Sequence, residues 1–311
     1  MTSITVLLTE TALAYEFVAS FRNRRLPEKF FYWFPLSVRA WLDLCSDGDY
    51  RNYVRSRSLI AQTANEVAAL VGPGPLEVVS LGCGQGDKDR LLLDALRAAG
   101  ADVRYVAVDS SQALLELACA EATTGGIAAS GIKADFTHPG HLAAVAGSEG
   151  PRRLVMVIGN TLGAADPLAF ARDLRSLLRP GDLVLVDGEI YGGAVTLAGY
   201  DNSINRRFAW APLRAVGIGS DDGALVFEEA ADPRLPGLHL VPKHFLAERD
   251  ATALMGGELL TLRAGERLEM NHSYKYSPAA FDHVLGDAGL GIRWSGTSDD
   301  GRLRMVVAGP D

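Results

Sequence analysis

Gly82, Gly84 and Gly86 stand at alternate positions in a stretch that runs on to Asp87 and Lys88. Glycine lets a chain turn sharply and lets a ligand lie against the backbone without meeting a Cβ. The apolar run Val78-Val79-Ser80-Leu81 precedes the turn, and a helical pattern from Asp87 to Ala99 follows it. The order is strand, glycine turn, helix, and the first N–H groups of that helix are free to meet a carboxylate. The spacing is GxGxG, not the GxGxxG in which a third glycine serves helix–strand packing, and this speaks against NAD. A tight strand–helix connection alone would also use such a turn. A second strand pattern, Arg104 to Val108, ends in Asp109, with Ser110 and Ser111 after it. An acid at that strand end can accept two ribose hydroxyls, at about 1.5–3 kcal/mol for each charge-assisted hydrogen bond. Asp135 and Phe136 close a third strand and offer a polar group and a ring face to an adenine. The fourth strand ends in Gly159-Asn160, where Gly159 permits close approach of a sulfonium and Asn160 faces the substrate side. The fifth ends in Asp187-Gly188-Glu189, and Glu189 is the candidate for holding or deprotonating a cationic substrate. A solvated loop carboxylate is the plainer reading of Glu189. Glycine turn, ribose acid and adenine site, in that order, describe a pocket for S-adenosylmethionine (SAM).

These strand ends need a parallel sheet to bring them together. Strand patterns at 78–81, 103–108, 131–134, 153–158 and 183–186 alternate with helical patterns at 87–99, 111–122, 141–146 and 166–178. Such alternation predicts an α/β fold with a mostly parallel sheet. A final helix, 278–289, and a hairpin, 291–294 with 303–307, add two strands, for a seven-stranded sheet. Between Tyr191 and Lys275 the rhythm stops, and several strand patterns predict a mostly β substrate-recognition insertion. The expected division is 1–190 for N-terminal helices plus SAM-binding core, 191–275 for the insertion and 276–311 for the closing helix and hairpin. Before the core, the dense aromatic stretch Leu26 to Pro35 is either a core plug or a lid over the ligand.

With 311 residues and 48% of them apolar, the chain can bury a full core. A net charge of −8 disfavours nucleic acid or an anionic membrane as partner. Cys45, Cys83 and Cys119 are scattered and odd in number, so neither a disulfide framework nor a zinc site is expected, and no metal is assigned. No apolar run approaches the roughly 18 residues of a membrane span, and no signal-peptide pattern opens the chain, so a cytoplasmic protein, monomeric or weakly dimeric, is expected.

Several of these stretches together resemble a family. LPEKFFY (26–32), LGCGQGDKDRLLLDAL (81–96), DFTHP (135–139), IGNTLGAADP (158–167), LLRPGD (177–182), GYDN (199–202) and NHSYKYS (271–277) follow, in order, the histidine-specific methyltransferases of ergothioneine biosynthesis. Relatives of that family include fungal N-methyltransferases of ergot alkaloid assembly and bacterial methyltransferases of specialised metabolism. The resemblance implies a Rossmann-like class I SAM-dependent methyltransferase. It places Tyr32, Gly82, Gly84, Lys88, Asp109, Asp135, Phe136 and Gly159 at the cofactor, and Tyr50 and Tyr200 at the substrate.

The chain also departs from the family. The asparagine that holds the histidine carboxylate is Ala164 here, and the glutamate and serine that read the imidazole are Asn271 and Ser273. The resemblance therefore implies a small aromatic substrate other than histidine, an indole or arylethylamine without a free carboxylate, in alkaloid or other specialised metabolism. Indole C3 methylation is the favoured expectation; N-methylation of a histidine-, arginine- or tryptophan-like amino acid is the alternative. Glu189 is the expected base, with Tyr200, Asn271 or Ser273 orienting a ring N–H. His244 is expected to be structural, and strand alternation turns His272 away from Asn271 and Ser273.

Overall fold

Consecutive apolar residues in a strand must be covered on both faces, and Leu154–Val157 and Val184–Val186 are at most 2% exposed. The computed structural model describes residues 2–146 and 150–311. The chain runs β1 (Ser3–Val6), α1 (Glu10–Arg22), α2 (Pro35–Ser46), α3 (Arg51–Val71), β2 (Gly74–Leu81), α4 (Asp87–Ala98), β3 (Ala101–Asp109), α5 (Gln112–Thr124), β4 (Ala128–Lys133), α6 (Pro139–Ala146), β5 (Arg152–Val157), α7 (Pro167–Leu177) and β6 (Leu183–Glu189). It continues through α8 (Ala194–Tyr200), α9 (Ser203–Ala215), β7 (Gly223–Phe227), β8 (Ala230–Ala231), β9 (Leu238–Ala247), β10 (Ala251–Met255), β11 (Glu258–Leu262), β12 (Arg267–Tyr276), α10 (Pro278–Asp287), β13 (Leu290–Thr297) and β14 (Leu303–Pro310). Short 3-10 helices form at Glu28–Phe31 and Thr161–Ala164. Side-chain caps start several helices: Ser111 accepts the N–H of Leu114 before α5, and Asp166 accepts those of Leu168 and Ala169 before α7.

The central sheet has the order β1-β4-β3-β2-β5-β6-β14-β13. The strands from β1 to β6 pair in parallel, and β14 is antiparallel to both β6 and β13. The seven expected strands are present. An eighth, β1, joins the edge beside β4; its four residues are too few for a periodicity to announce it. The strand order reverses between β2 and β5, which opens a crevice at the carboxyl ends of β2, β3 and β5. This is the Rossmann-like class I methyltransferase architecture.

A second, antiparallel sheet, β12-β9-β7 with β8 on β9, stands apart from the first, with the β10–β11 hairpin beside it. The segment before it is helical: α8 and α9 occupy residues expected to belong to a mostly β insertion. Asn202 caps α9 through the N–H of Asn205, a signal hidden by Pro212 inside the helix. Residues 191–275 do not form a core alone. Phe208, Trp210, Phe245 and Leu268 share one buried cluster with Leu13, Phe17, Phe21, Phe30 and Phe31. Phe17 meets Phe30 edge-on, with ring centroids 5.1 Å apart. The aromatic stretch is thus a plug on one side, while Glu28, Lys29 and Tyr32 from the same stretch face the crevice.

Candidate active site

A cavity of about 610 Å³ fills the crevice and extends under the second sheet. At its sheet end, Gly82 has φ +73°, and a Cβ there would lie 3.2 Å from Thr161 and 3.4 Å from the Phe136 ring. Gly84, with φ +55°, leaves 3.7 Å between its missing Cβ and Trp41 Nε1, a buried indole N–H without a partner among the described residues. Gly86, expected with the other two, does not border the cavity. It caps α4 at φ +81°, and a Cβ would sit 2.7 Å from the Ala118 backbone, so its role is packing of α4 on α5. Asp109 turns its carboxylate to the cavity. One oxygen accepts the Gly84 N–H at 3.0 Å and the other the Ser111 N–H at 2.9 Å. Burial pushes this carboxyl up to about 6 against those hydrogen bonds. Ser110 borders the same region. Burial alone would raise the Asp135 carboxyl, but the Lys29 ammonium at 2.7 Å holds it below the usual range. Phe136 stacks on Phe170 at 5.3 Å. At Gly159, φ +87°, a Cβ would come 2.5 Å from Lys88 Nζ.

The far end of the cavity is walled by side chains from distant segments. Asn160 stands in the left-handed region at φ +62° and is held there from all sides. Its N–H donates to Asp187 at 2.6 Å, its side-chain oxygen accepts the Glu189 N–H at 2.9 Å, and its amide nitrogen donates to Ser273 Oγ at 3.1 Å. Expected to meet the substrate, Asn160 has its polar atoms committed to this bracing. Glu189 lies behind the wall, not on it. Its carboxylate forms an ion pair with the fully buried Lys275 at 2.6 Å and accepts a hydrogen bond from Asn52. A carboxylate engaged in this way does not reach a substrate, which corrects the expectation that Glu189 is the base. The Tyr200 hydroxyl is what the cavity meets instead, 3.4 Å from Glu189 Oε2 and 3.2 Å from Ser273 Oγ. Burial drives the phenols of Tyr32, Tyr50 and Tyr200 well up, so each stays protonated.

Residues 13–205 match the histidine-specific, SAM-dependent methyltransferase family. This chain belongs to that family. It is a SAM-dependent methyltransferase. A histidine N-alpha-methyltransferase of Mycobacterium tuberculosis (strain CDC 1551 / Oshkosh) is 28% identical over 230 residues, 70% of each chain. Another of that name, from Mycolicibacterium smegmatis, is 34% identical over 143 residues, 44% of this chain and 42% of that one. A solved S-adenosylmethionine-dependent methyltransferase from Clostridium acetobutylicum ATCC 824 is 13% identical with a TM-score of 0.41, covering 83% of this chain and 92% of that one.

Ala164 borders the cavity with no polar group. Asn271 donates to Glu28, while its own carbonyl oxygen is buried without a partner among the described residues. The other Glu28 oxygen accepts the Tyr32 hydroxyl at 2.9 Å. An irregularity in β12 between Glu269 and His272 breaks the strand alternation, so Asn271, His272 and Ser273 all border the cavity. That overturns the expected outward turn of His272, whose ring sits 3.3 Å from Glu269 at the rim. His244 does not border this cavity. Sequence reasoning missed Glu28, Trp41, Phe208 and Lys243. Lys243 carried a signal: Val241, Lys243, Phe245 and Ala247 occupy the inward positions of β9, where a lysine is out of place.

Proposed function

We propose that this enzyme methylates the amino nitrogen of an amino acid. The names of the two curated relatives support this amino-acid alternative over indole C3 methylation and over a place in alkaloid or other specialised metabolism. The observation that carries it is the Tyr200 hydroxyl. Ser273 Oγ lies within 3.1 Å of the Asn160 amide nitrogen and 2.9 Å of Lys275 Nζ, so both its lone pairs receive donors. Its own hydrogen therefore goes to Tyr200 Oη, and the Tyr200 hydrogen goes to Glu189, which can only accept. One Tyr200 lone pair is left for the cavity. It suits the N–H of an amine whose nitrogen lone pair must point at the methyl group; an indole ring N–H offers the same donor, and the names of the relatives favour the amine.

The residues present fit SAM. Asp109 suits the ribose hydroxyls, Phe136 the adenine ring, and the orphaned Trp41 N–H with the bare Gly84 backbone suits the carboxylate of the methionine portion. Gly159 leaves the open approach a transferable methyl group needs. When bound, SAM supplies that methyl group on a sulfonium. Tyr50 and Tyr200, kept protonated, exclude water and orient the amine; alignment of this kind supplies up to about 7–11 kcal/mol of a barrier. With Glu189 paired to Lys275, the amine loses its proton to solvent before it is held.

Isotopically labelled SAM, offered with histidine, tryptophan and arginine, tests this reading. Mass spectrometry or NMR should find the label on an amine nitrogen. Label on an indole carbon would overturn it.

A further inference from the structure

Lys243 is 6% exposed and borders the substrate end of the cavity. Among the described residues its ammonium has neither a hydrogen bond nor an ion pair. It hangs between two rings, 5.7 Å from the centre of Phe31 and 5.5 Å from that of Tyr200. The Glu28 carboxylate, which acts on Lys243 through its charge, already has each oxygen engaged, one by Tyr32 and one by Asn271. The buried ammonium behind this wall, Lys275, is paired with Glu189 at 2.6 Å. A buried charge without a partner is a large penalty, and proteins retain one where something else completes it. Burial holds Lys243 down to about 8, which leaves it charged at neutral pH and short of a counter-ion. A second unmet group lies in the same wall: the Asn271 carbonyl oxygen, on a side chain 4% exposed in the strand beside β9, has no donor among the described residues. One ammonium on a buried side chain and one buried carbonyl, neither with a hydrogen-bond partner among the described residues, match a ligand that carries an anion and an N–H together.

We infer that Lys243 receives the carboxylate of the substrate and that Asn271 accepts one of its N–H groups. The inference rests on the amino-acid reading above and narrows it: substrates without a carboxylate are rejected. It also reverses the expectation drawn from Ala164, because a carboxylate that meets no polar group there finds a partner at Lys243.

The test compares histidine, tryptophan and arginine with their α-carboxamides, on the wild-type enzyme and on Lys243→Met, which replaces the ammonium with an apolar chain of similar length. The wild type should prefer each accepted acid over its amide by about tenfold to a hundredfold, and in the variant that preference should vanish. Equal use of acid and amide by the wild type, or a preference that survives in Lys243→Met, overturns the inference. A readout free of turnover is calorimetric titration of 3-indolepropionate, a carboxylate without an amine, into each protein saturated with S-adenosylhomocysteine. Binding to the wild type alone supports Lys243 as the anchor; equal binding to both, or to neither, overturns it. Retained S-adenosylhomocysteine binding shows that the variant is folded. Glutamate against glutamine separates a side-chain carboxylate from the α-carboxylate: a preference for glutamate that Lys243→Met abolishes places the side-chain group at Lys243. Label on a ring carbon of a preferred acid would sink the amine reading and leave the carboxylate anchor standing.

Discussion

The two ends of one cavity are built in opposite ways. The cofactor end is made of backbone and strand termini: Asp109 ends a strand, and Gly82, Gly84, Phe136 and Gly159 each sit just past the end of one, all in the same sheet. The substrate end is made of side chains from the Glu28 segment, α3, α8, β9 and β12, which no local pattern links. The cofactor end shows its polar groups to the ligand, while the substrate end turns most of its charge inward, with Glu189 on Lys275 and Glu28 on Asn271. A chemical group conserved in kind across reactions can be held by geometry that the fold dictates. A variable substrate is read by residues that can be exchanged without moving the sheet.

Substitutions at each end should separate these two modes. The largest effect is expected from Glu189→Gln, which leaves Lys275 charged, fully buried and unpaired; breaking such a pair costs about 3–5 kcal/mol of stability. Urea denaturation should show that loss, and adding Lys275→Met should recover most of it. A Glu189→Gln protein of unchanged stability with reduced kcat would instead return Glu189 to the role of base. At the cofactor end, Asp109→Asn should weaken SAM by about one to two orders of magnitude, the loss of charge-assisted hydrogen bonds to two hydroxyls, while calorimetry of 3-indolepropionate binding stays within a factor of a few. If both affinities fall together, the two ends are not separable. Tyr200→Phe should do the reverse. It removes the acceptor for the amine and lowers kcat by about tenfold, with SAM affinity unchanged in the same titration.

The smallest effect is in pH. Asp109 must be ionised to accept ribose hydroxyls, and its carboxyl in the ligand-free protein is raised to about 6 by burial. A raised carboxyl binds its proton early as pH falls, so SAM affinity should be flat above pH 7 and decline below about 6, by at most tenfold for each further unit. Asp109→Asn should abolish that decline. A dependence that persists in the variant belongs to another group.

How much of this was legible follows from the same contrast. The glycine turn, Asp109, Asp135-Phe136 and Gly159 announce themselves because each sits at the boundary between an apolar strand pattern and a turn, and a parallel sheet brings all such boundaries to one edge. Gly86 shows the limit: three glycines at even spacing read alike, yet only contact with Ala118 tells that the third packs α4 on α5. Glu189 shows it again, since a carboxylate at a strand end looks available until Lys275, eighty-six positions onward in number, is found beside it. His272 was misplaced because a strand irregularity is invisible in the pattern of residues.

The sequence by itself determined the α/β architecture, the SAM end of the cavity and membership of the methyltransferase family, because these depend on periodicity and on residues close to one another along the chain. Only the tertiary structure decided which charges are already paired. It joined Glu189 to Lys275 and Glu28 to Asn271, broke the alternation of β12, and left Lys243 and the Asn271 carbonyl without hydrogen-bond partners among the described residues. Pairing of buried charges depends on distances across the fold, and a chain read in order does not contain them.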